Sequence, residues 1–233
     1  MFRQHEFDIA AVNTPPPIVS KHDVDQFSNS CVILRPIYRH YQILFEEGGD
    51  LRRELQQSIA PTFFGDLNHL LIQHLILSIC KITDREDSGG HKNLTVEFLI
   101  NNADFSTAPN ELDELKQLAK SMHAFRKRIE PARKKLIGHL DRRSVWEGKS
   151  LSGAGKSDWN QFWLDLQDFL QILHKHYIDS NGHFYLNAVG YLSDADMLVK
   201  ALKESTYFHT LLEDRRLTQQ CADVAFNSKY SKA

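Results

Sequence analysis

Cysteine is scarce in this chain of 233 residues. Cys31, Cys80 and Cys221 are an odd number, widely spaced and without a CxxC pair, which excludes a disulfide framework and a structural zinc knuckle and leaves three reduced thiols. Long hydrophobic runs are missing too. The most apolar stretch, Leu70 to Cys80, is interrupted by Gln73, His74 and Ser78 and falls short of the roughly 20 apolar residues that a bilayer crossing needs, so it is expected to be a core helix. The amino terminus carries Arg3, Glu6 and Asp8 with no apolar segment behind them; no secretory leader, a cytoplasmic location and no membrane partner are the expectations.

Several catalytic signatures are also absent. There is no Gly-x-Ser-x-Gly elbow and no cysteine with nucleophile context. His69 and His74 are five apart without the glutamate of a zinc-binding HExxH helix, and His174 and His176 are two apart, on different faces of a helix. Asp84, Glu86 and Asp87 form a carboxylate-rich turn with no nitrogen ligands beside it, which suggests a solvated loop. No metal and no cofactor are therefore expected. Gly155-Lys156-Ser157 resembles the end of a phosphate-binding loop, but Ser150 stands where the first glycine belongs and no strand precedes it. The segment Glu147 to Ser157 is expected to be a linker. No repeat of fixed period is found.

What is present is an ordinary globular composition, 42% hydrophobic and 25% charged. The formal charge of -2 hides an asymmetry. Between Ala124 and Arg143 there are eight bases (Arg126, Lys127, Arg128, Arg133, Lys134, Lys135, Arg142, Arg143) against Glu130 and Asp141, a local charge of +6. The rest of the chain carries -8. A protein that coats nucleic acid generally would not have this balance, whereas a local basic site would.

Apolar spacing predicts helices almost throughout. Residues 1–22, with Thr14-Pro-Pro-Pro17, form an extended arm; 23–216 form the folded domain; 217–233 are a polar tail. Val24, Phe27, Cys31, Leu34, Tyr38, Tyr41 and Phe45 recur at three and four, a helical stripe that Pro36 should kink or split and Gly48-Gly49 should end. A second helical stretch starts near Asp50. An apolar helix over about 66–82 should be central and buried. Asn93 is expected to cap a short helix over 94–101, and Leu112, Leu115, Leu118, Ala119 and Met122 continue through Ile129, Ala132, Leu136 and Leu140, with Pro131 marking a kink or fresh start. Trp159, Phe162, Trp163, Leu166, Phe169, Leu170, Leu173 and Tyr177 share one face, as core or dimer interface. Asn181-Gly182 turns the chain. A last helix, capped by Ser193 and Asp196, turns Leu198, Leu202, Ser205, Phe208 and Leu212 inward. The expected fold class is an all-α bundle.

Within the basic run, Arg133-Lys-Lys-Leu-Ile-Gly-His139-Leu-Asp141 sets an arginine six positions before a histidine. Histidine titrates near neutrality and can move a proton at a ribose hydroxyl or a leaving oxygen; arginine's fixed fork of donors suits a phosphate. The segment resembles the Arg-x(4–6)-His signature of HEPN domains, most closely the abortive-infection AbiU-type branch with its Arg-Asn-Lys-x-Ile-Ala-His-x-Asp pattern. Here Lys134 replaces the asparagine and Gly138 the alanine.

The resemblance implies a HEPN-like helical bundle acting as a metal-independent endoribonuclease on RNA, with Arg133 and His139 catalytic. Lys134, Lys135, Arg142 and Arg143 would assist as RNA-binding residues. Asp141 either orients His139 or pairs with Arg142 or Arg143 at the surface. In an ideal helix, residues six apart lie some 120° from eclipsing and about 9 Å apart along the axis, so one subunit makes a poor site. The homodimer implied by the resemblance would bring two Arg–His sets into one cleft. The resemblance further implies a toxin-like antiphage effector restrained by an antitoxin or other defence partner. The alternative is a non-catalytic dimeric HEPN-like module that binds RNA, nucleotide or a partner.

Overall fold

Ser20 and Asp23 start the first helix reciprocally: Ser20 Oγ accepts the Asp23 N–H (3.2 Å) while the Asp23 carboxylate accepts the Ser20 N–H (2.8 Å). The structure is a computed structural model that describes residues 19–137, 153–186 and 194–213. Helix α1 (Lys21–Tyr41) runs through Pro36 without a break and widens into a π-helical turn, Gln42–Glu46. The two glycines then reverse the chain. Gly48 has φ +89°, a left-handed conformation, and the Arg52 side chain lies 3.2 Å from where its Cβ would sit. Arg52 in turn donates to the Ile43 carbonyl that the turn leaves open. Helix α2 (Gly49–Ile59) follows, then α3 (Pro61–Ile82).

Helix α3 departs from expectation. Its C-terminal half is core, with Leu75, Ile76, Ile79, Cys80 and Ile82 buried, but Phe63, Leu70 and Leu77 are 58%, 62% and 41% exposed. The helix starts five residues earlier than its apolar pattern suggests, because Pro61 fits the first helical position. It therefore extends beyond the bundle, and a stripe at seven-residue spacing is left uncovered. By length and mean hydropathy (22 residues, 1.2) α3 alone among the described helices would suffice to cross a bilayer. Asp66, His69, Gln73 and His74 interrupt it, and its second half belongs to the bundle.

A two-stranded hairpin, β1 (Asp87–Ser88) and β2 (His91–Lys92), leads to α4 (Val96–Asn102). The cap of α4 is Thr95, whose hydroxyl accepts the Phe98 N–H at 3.2 Å; Asn93 instead donates to the Arg85 carbonyl. Phe98 and Leu99 turn inward as expected. Helix α5 (Pro109–Ala132) passes through Pro131 and, at Arg133, gives way to a second π-helical turn, Arg133–Ile137. Proline removes one backbone bond to the preceding turn, and a wider turn beside it is one way the ladder recovers. Helix α6 (Lys156–Tyr177) opens with Asp158 accepting the Gly155 N–H at 2.8 Å. Helix α7 spans Asp194–Glu213.

The bundle is α1, α3, α4, α5 and α6 around one core. All of Trp159, Phe162, Trp163, Leu166, Phe169, Leu170 and Leu173 are buried in it, so the aromatic face is core. Tyr38 stacks on Trp159 and Trp163, both at 5.3 Å between centroids, and Phe125 stacks on Phe162 at 4.9 Å. The final helix behaves differently from its predicted face. Ala195 and Val199 are its buried residues, set against Ile43 and Leu44 in a small second cluster, while Leu198 and Ser205 are exposed. It docks on α2 and the first π turn at one end of the molecule and does not line the main core. Residues 183–186 form a strap along α6 that pairs with no strand among the described residues. Gln167 and Gln171 take that role, accepting from Leu186 N–H (2.8 Å) and Phe184 N–H (2.7 Å).

Candidate functional site

Arg126 and Arg133 are seven residues apart, two turns along α5 and its π-helical extension, and both reach the carboxylate that ends α3. Arg126 holds it closely. Its Nη2 lies 2.8 Å from Asp84 Oδ1, and its Nη1 donates to the Thr83 carbonyl at 3.0 Å. Arg133 approaches the other oxygen, Oδ2, at 3.7 Å, a loose ion pair without hydrogen-bond length. Exposure separates the two cations as well: the Arg126 side chain is 15% exposed and that of Arg133 is 33%. Arg126 fixes the carboxylate, and the carboxylate holds Arg133 at the surface, where a guanidinium can still meet a phosphate oxygen.

Glu130 completes the cluster. It accepts from Lys134 Nζ at 2.9 Å and lies 3.6 Å from Arg126 Nη2, so each four-residue step from 126 to 130 to 134 is an ion pair on one helix face. The hydrogen bond from Lys134 is the main reason why the Glu130 carboxyl titrates below its ordinary range, with Arg126 and Arg133 adding to it. Beneath the cluster lies Cys80, whose thiol is pushed up by burial while Arg133 and Arg126 pull the other way. Cys31 and Cys80 are free and buried; Cys221 lies outside the described residues. On α5, one turn before Arg126, burial and then the charge of Arg126 lower the pKa of His123, which keeps that imidazole neutral at pH 7.

Of the residues singled out in the sequence, Arg133 and Lys134 join this cluster and Lys135 is exposed beside it. His139, Asp141, Arg142 and Arg143 lie outside the described residues. The chain from Arg133 is π-helical and not ideal α-helix, so the separation of Arg133 and His139 calculated for an α-helix does not carry over. The acidic turn requires correction. Thr83 is fully buried, Asp84 is the anion of the site, and Glu86 accepts from Lys92 (2.9 Å), Asn101 (3.0 Å) and Asn102 (3.2 Å). It is therefore an ordered corner and not a solvated loop, because cations and amides from distant elements converge on it. A groove of about 530 Å³ opens beside Asp84, lined also by Ser78, Lys81, Asn93 and Thr95. Among the described residues, no cluster of three or more His, Cys, Asp or Glu side chains is arranged to hold a metal ion.

The ion-pair network has a pH signature. Glu130 is depressed in the folded chain relative to about 4.3 in an unfolded one, so its contribution to stability is fully present above the unfolded value and is lost as pH falls through the folded one. Carboxyl titration by NMR should place Glu130 below an exposed glutamate, and Lys134→Ala should move it upward. An unchanged titration in that variant would show that Lys134 does not hold Glu130.

The HEPN_AbiU2 family model, described as AbiU2, matches residues 21–198 of the chain. Comparison with curated proteins and with solved structures finds no match. The matched stretch contains the whole Asp84–Arg126–Glu130–Arg133 cluster and the segment through Asp141.

Proposed function

This chain belongs to the AbiU2 family of HEPN domains, and on that premise we propose that it is a metal-independent endoribonuclease of abortive infection, acting in the cytoplasm. The observation that carries the reading is Arg133, a partly exposed guanidinium held loosely beside the closer Asp84–Arg126 pair, six residues before His139. In the proposed reaction a neutral His139 imidazole accepts the proton of a ribose 2′-hydroxyl, whose oxygen attacks the adjacent phosphorus. A protonated histidine gives its proton to the departing 5′-oxygen, and Arg133 stabilises the phosphorane's charge. The products are a 2′,3′-cyclic phosphate and a 5′-hydroxyl. Lys134, Lys135, Arg142 and Arg143 would steer the backbone, Lys134 by exchanging Glu130 for phosphate. Asp141 would either orient His139 or pair at the surface. An antitoxin or another defence partner would restrain the activity.

Two histidine roles in one cleavage call for two copies of the chain, with the segment 131–140 facing its symmetry mate. Light scattering at micromolar concentration should give twice the mass of 26.9 kDa. A monomer that cleaves RNA, with activity linear in protein concentration, would rule out the shared cleft. Should Leu70→Glu alone yield monomers, the uncovered stripe of α3 is the dimer face instead.

A second reading has its own support: Arg133 and Lys134 are already compensated by Asp84 and Glu130, which suits a module that binds RNA without cutting it. That reading requires a gel shift of uncut RNA by the wild-type protein, weakening steeply as salt rises. Cut RNA in the same lanes would eliminate it.

A further inference from the structure

Arg35, on the α1 face that meets α6, is charged and half-buried, and among the described residues no carboxylate pairs with it. Its guanidinium lies 5.5 Å from the Tyr38 ring centre and 5.3 Å from that of Trp163, so two aromatic faces support the cation without neutralising it. Among the described residues its buried Nη1 has no hydrogen-bond partner, and the same holds for the indole Nε1 of Trp163, a residue only 3% exposed. Buried donors without acceptors are uncommon and costly. Here two of them, from different helices, belong to residues that line one cavity.

That cavity, about 330 Å³, is bounded by Arg35, Asn160, Trp163, Leu164, Gln167 and Leu186, within the size range of small-ligand sites. Its two buried unpartnered groups are one-sided. Arg35 and the Trp163 indole can only donate, and Arg39, one turn along α1, adds positive potential at Arg35. The Gln167 amide is occupied at both ends by the strap, donating to the Phe184 carbonyl (2.6 Å) and accepting from Leu186 N–H, so that wall is fixed. Asn160 and Leu164 form an exposed rim. No residue is shared with the Arg133 cluster.

We propose that this cavity binds the oxyanion of a small ligand, a phosphate or a carboxylate, which accepts from Arg35 and from the Trp163 indole N–H. The ligand's remaining part lies against Leu164 and Leu186. Such a site is separate from RNA cleavage and offers a place where a small metabolite could report to the bundle core through Trp163.

The test uses the full chain, titrated at constant ionic strength with inorganic phosphate, AMP or acetate and followed by tryptophan fluorescence and by the indole N–H resonances, with Trp163 assigned from Trp163→Phe. A saturable shift of the Trp163 indole is expected with at least one probe, and phosphate or AMP against acetate distinguishes the two oxyanions. Arg35→Met should weaken binding by at least about tenfold, the scale of a lost charge-assisted hydrogen bond; Arg35→Lys, which keeps the charge and loses the fork, should fall between. Arg133→Ala should bind as wild type. No saturable shift with any of the three probes would overturn the proposal, as would unchanged binding in both Arg35 variants or its loss in Arg133→Ala.

Discussion

Arg133→Ala and His139→Ala are each expected to lower RNA cleavage by about 10²–10⁴-fold, the range for a lost general acid–base group or an oxyanion-stabilising donor. The fold should not change with them. Arg133 gives up one ion pair of 3.7 Å at a partly exposed position, and such pairs contribute about 0–1 kcal/mol. Circular dichroism and thermal melting of both variants should therefore match wild type within a few degrees, so that lost activity is lost chemistry. Arg126→Ala should be the opposite kind of variant. Its guanidinium is the closer partner of Asp84 and bonds the Thr83 carbonyl, so its removal should disturb both Arg133 and the end of α3. Equal cleavage by wild type, Arg133→Ala and His139→Ala would remove the site from this segment.

Phe162→Ala should be the most destabilising of the simple truncations. The ring is 1% exposed, stacked on Phe125 at 4.9 Å and edge-on to Trp163 at 5.3 Å, at the centre of the α5–α6 contact. Truncating a buried phenylalanine costs about 3–5 kcal/mol, part of it for the cavity left behind. For a domain of this size that is a fall in Tm of roughly 6–20 °C. Leu164→Ala, two residues on and 59% exposed, should stay within about 0.5 kcal/mol of wild type. Similar melting curves for the two variants would mean that α6 does not present this face to the core.

The helices were legible because burial leaves a periodic trace. The α6 stripe from Trp159 to Leu173 and the α5 stripe from Leu115 to Ala132 were both readable by spacing, although Phe125 escaped notice inside the basic run. Half of α3 was not legible. An apolar helix looks the same whether its face is covered by its own bundle or left open, and composition does not say where a bundle ends. The inward face of α7 was misread for a related reason: Ala195 and Val199 are small, and the bulkier Leu198 outweighs them in any apolar pattern while standing at the surface. At the site, Arg133 announced itself by its motif, but its pairing with Asp84 did not, since a carboxylate in a polar turn gives no sign of a partner 49 residues on. The available signal was the seven-residue spacing of Arg126 and Arg133 around Glu130, which puts two arginines on one face with too little negative charge beside them.

The chemistry of the product ends tests the central claim most directly. Purified wild-type protein is incubated with a defined RNA and with DNA of the same sequence, in EDTA, and the fragments are analysed by mass spectrometry. The account predicts that RNA alone is cut, that EDTA has no effect, and that the fragments carry 2′,3′-cyclic phosphate and 5′-hydroxyl ends, with none formed by His139→Ala. Cleavage of the DNA, fragments with 5′-phosphate ends, or activity that disappears in EDTA would contradict it.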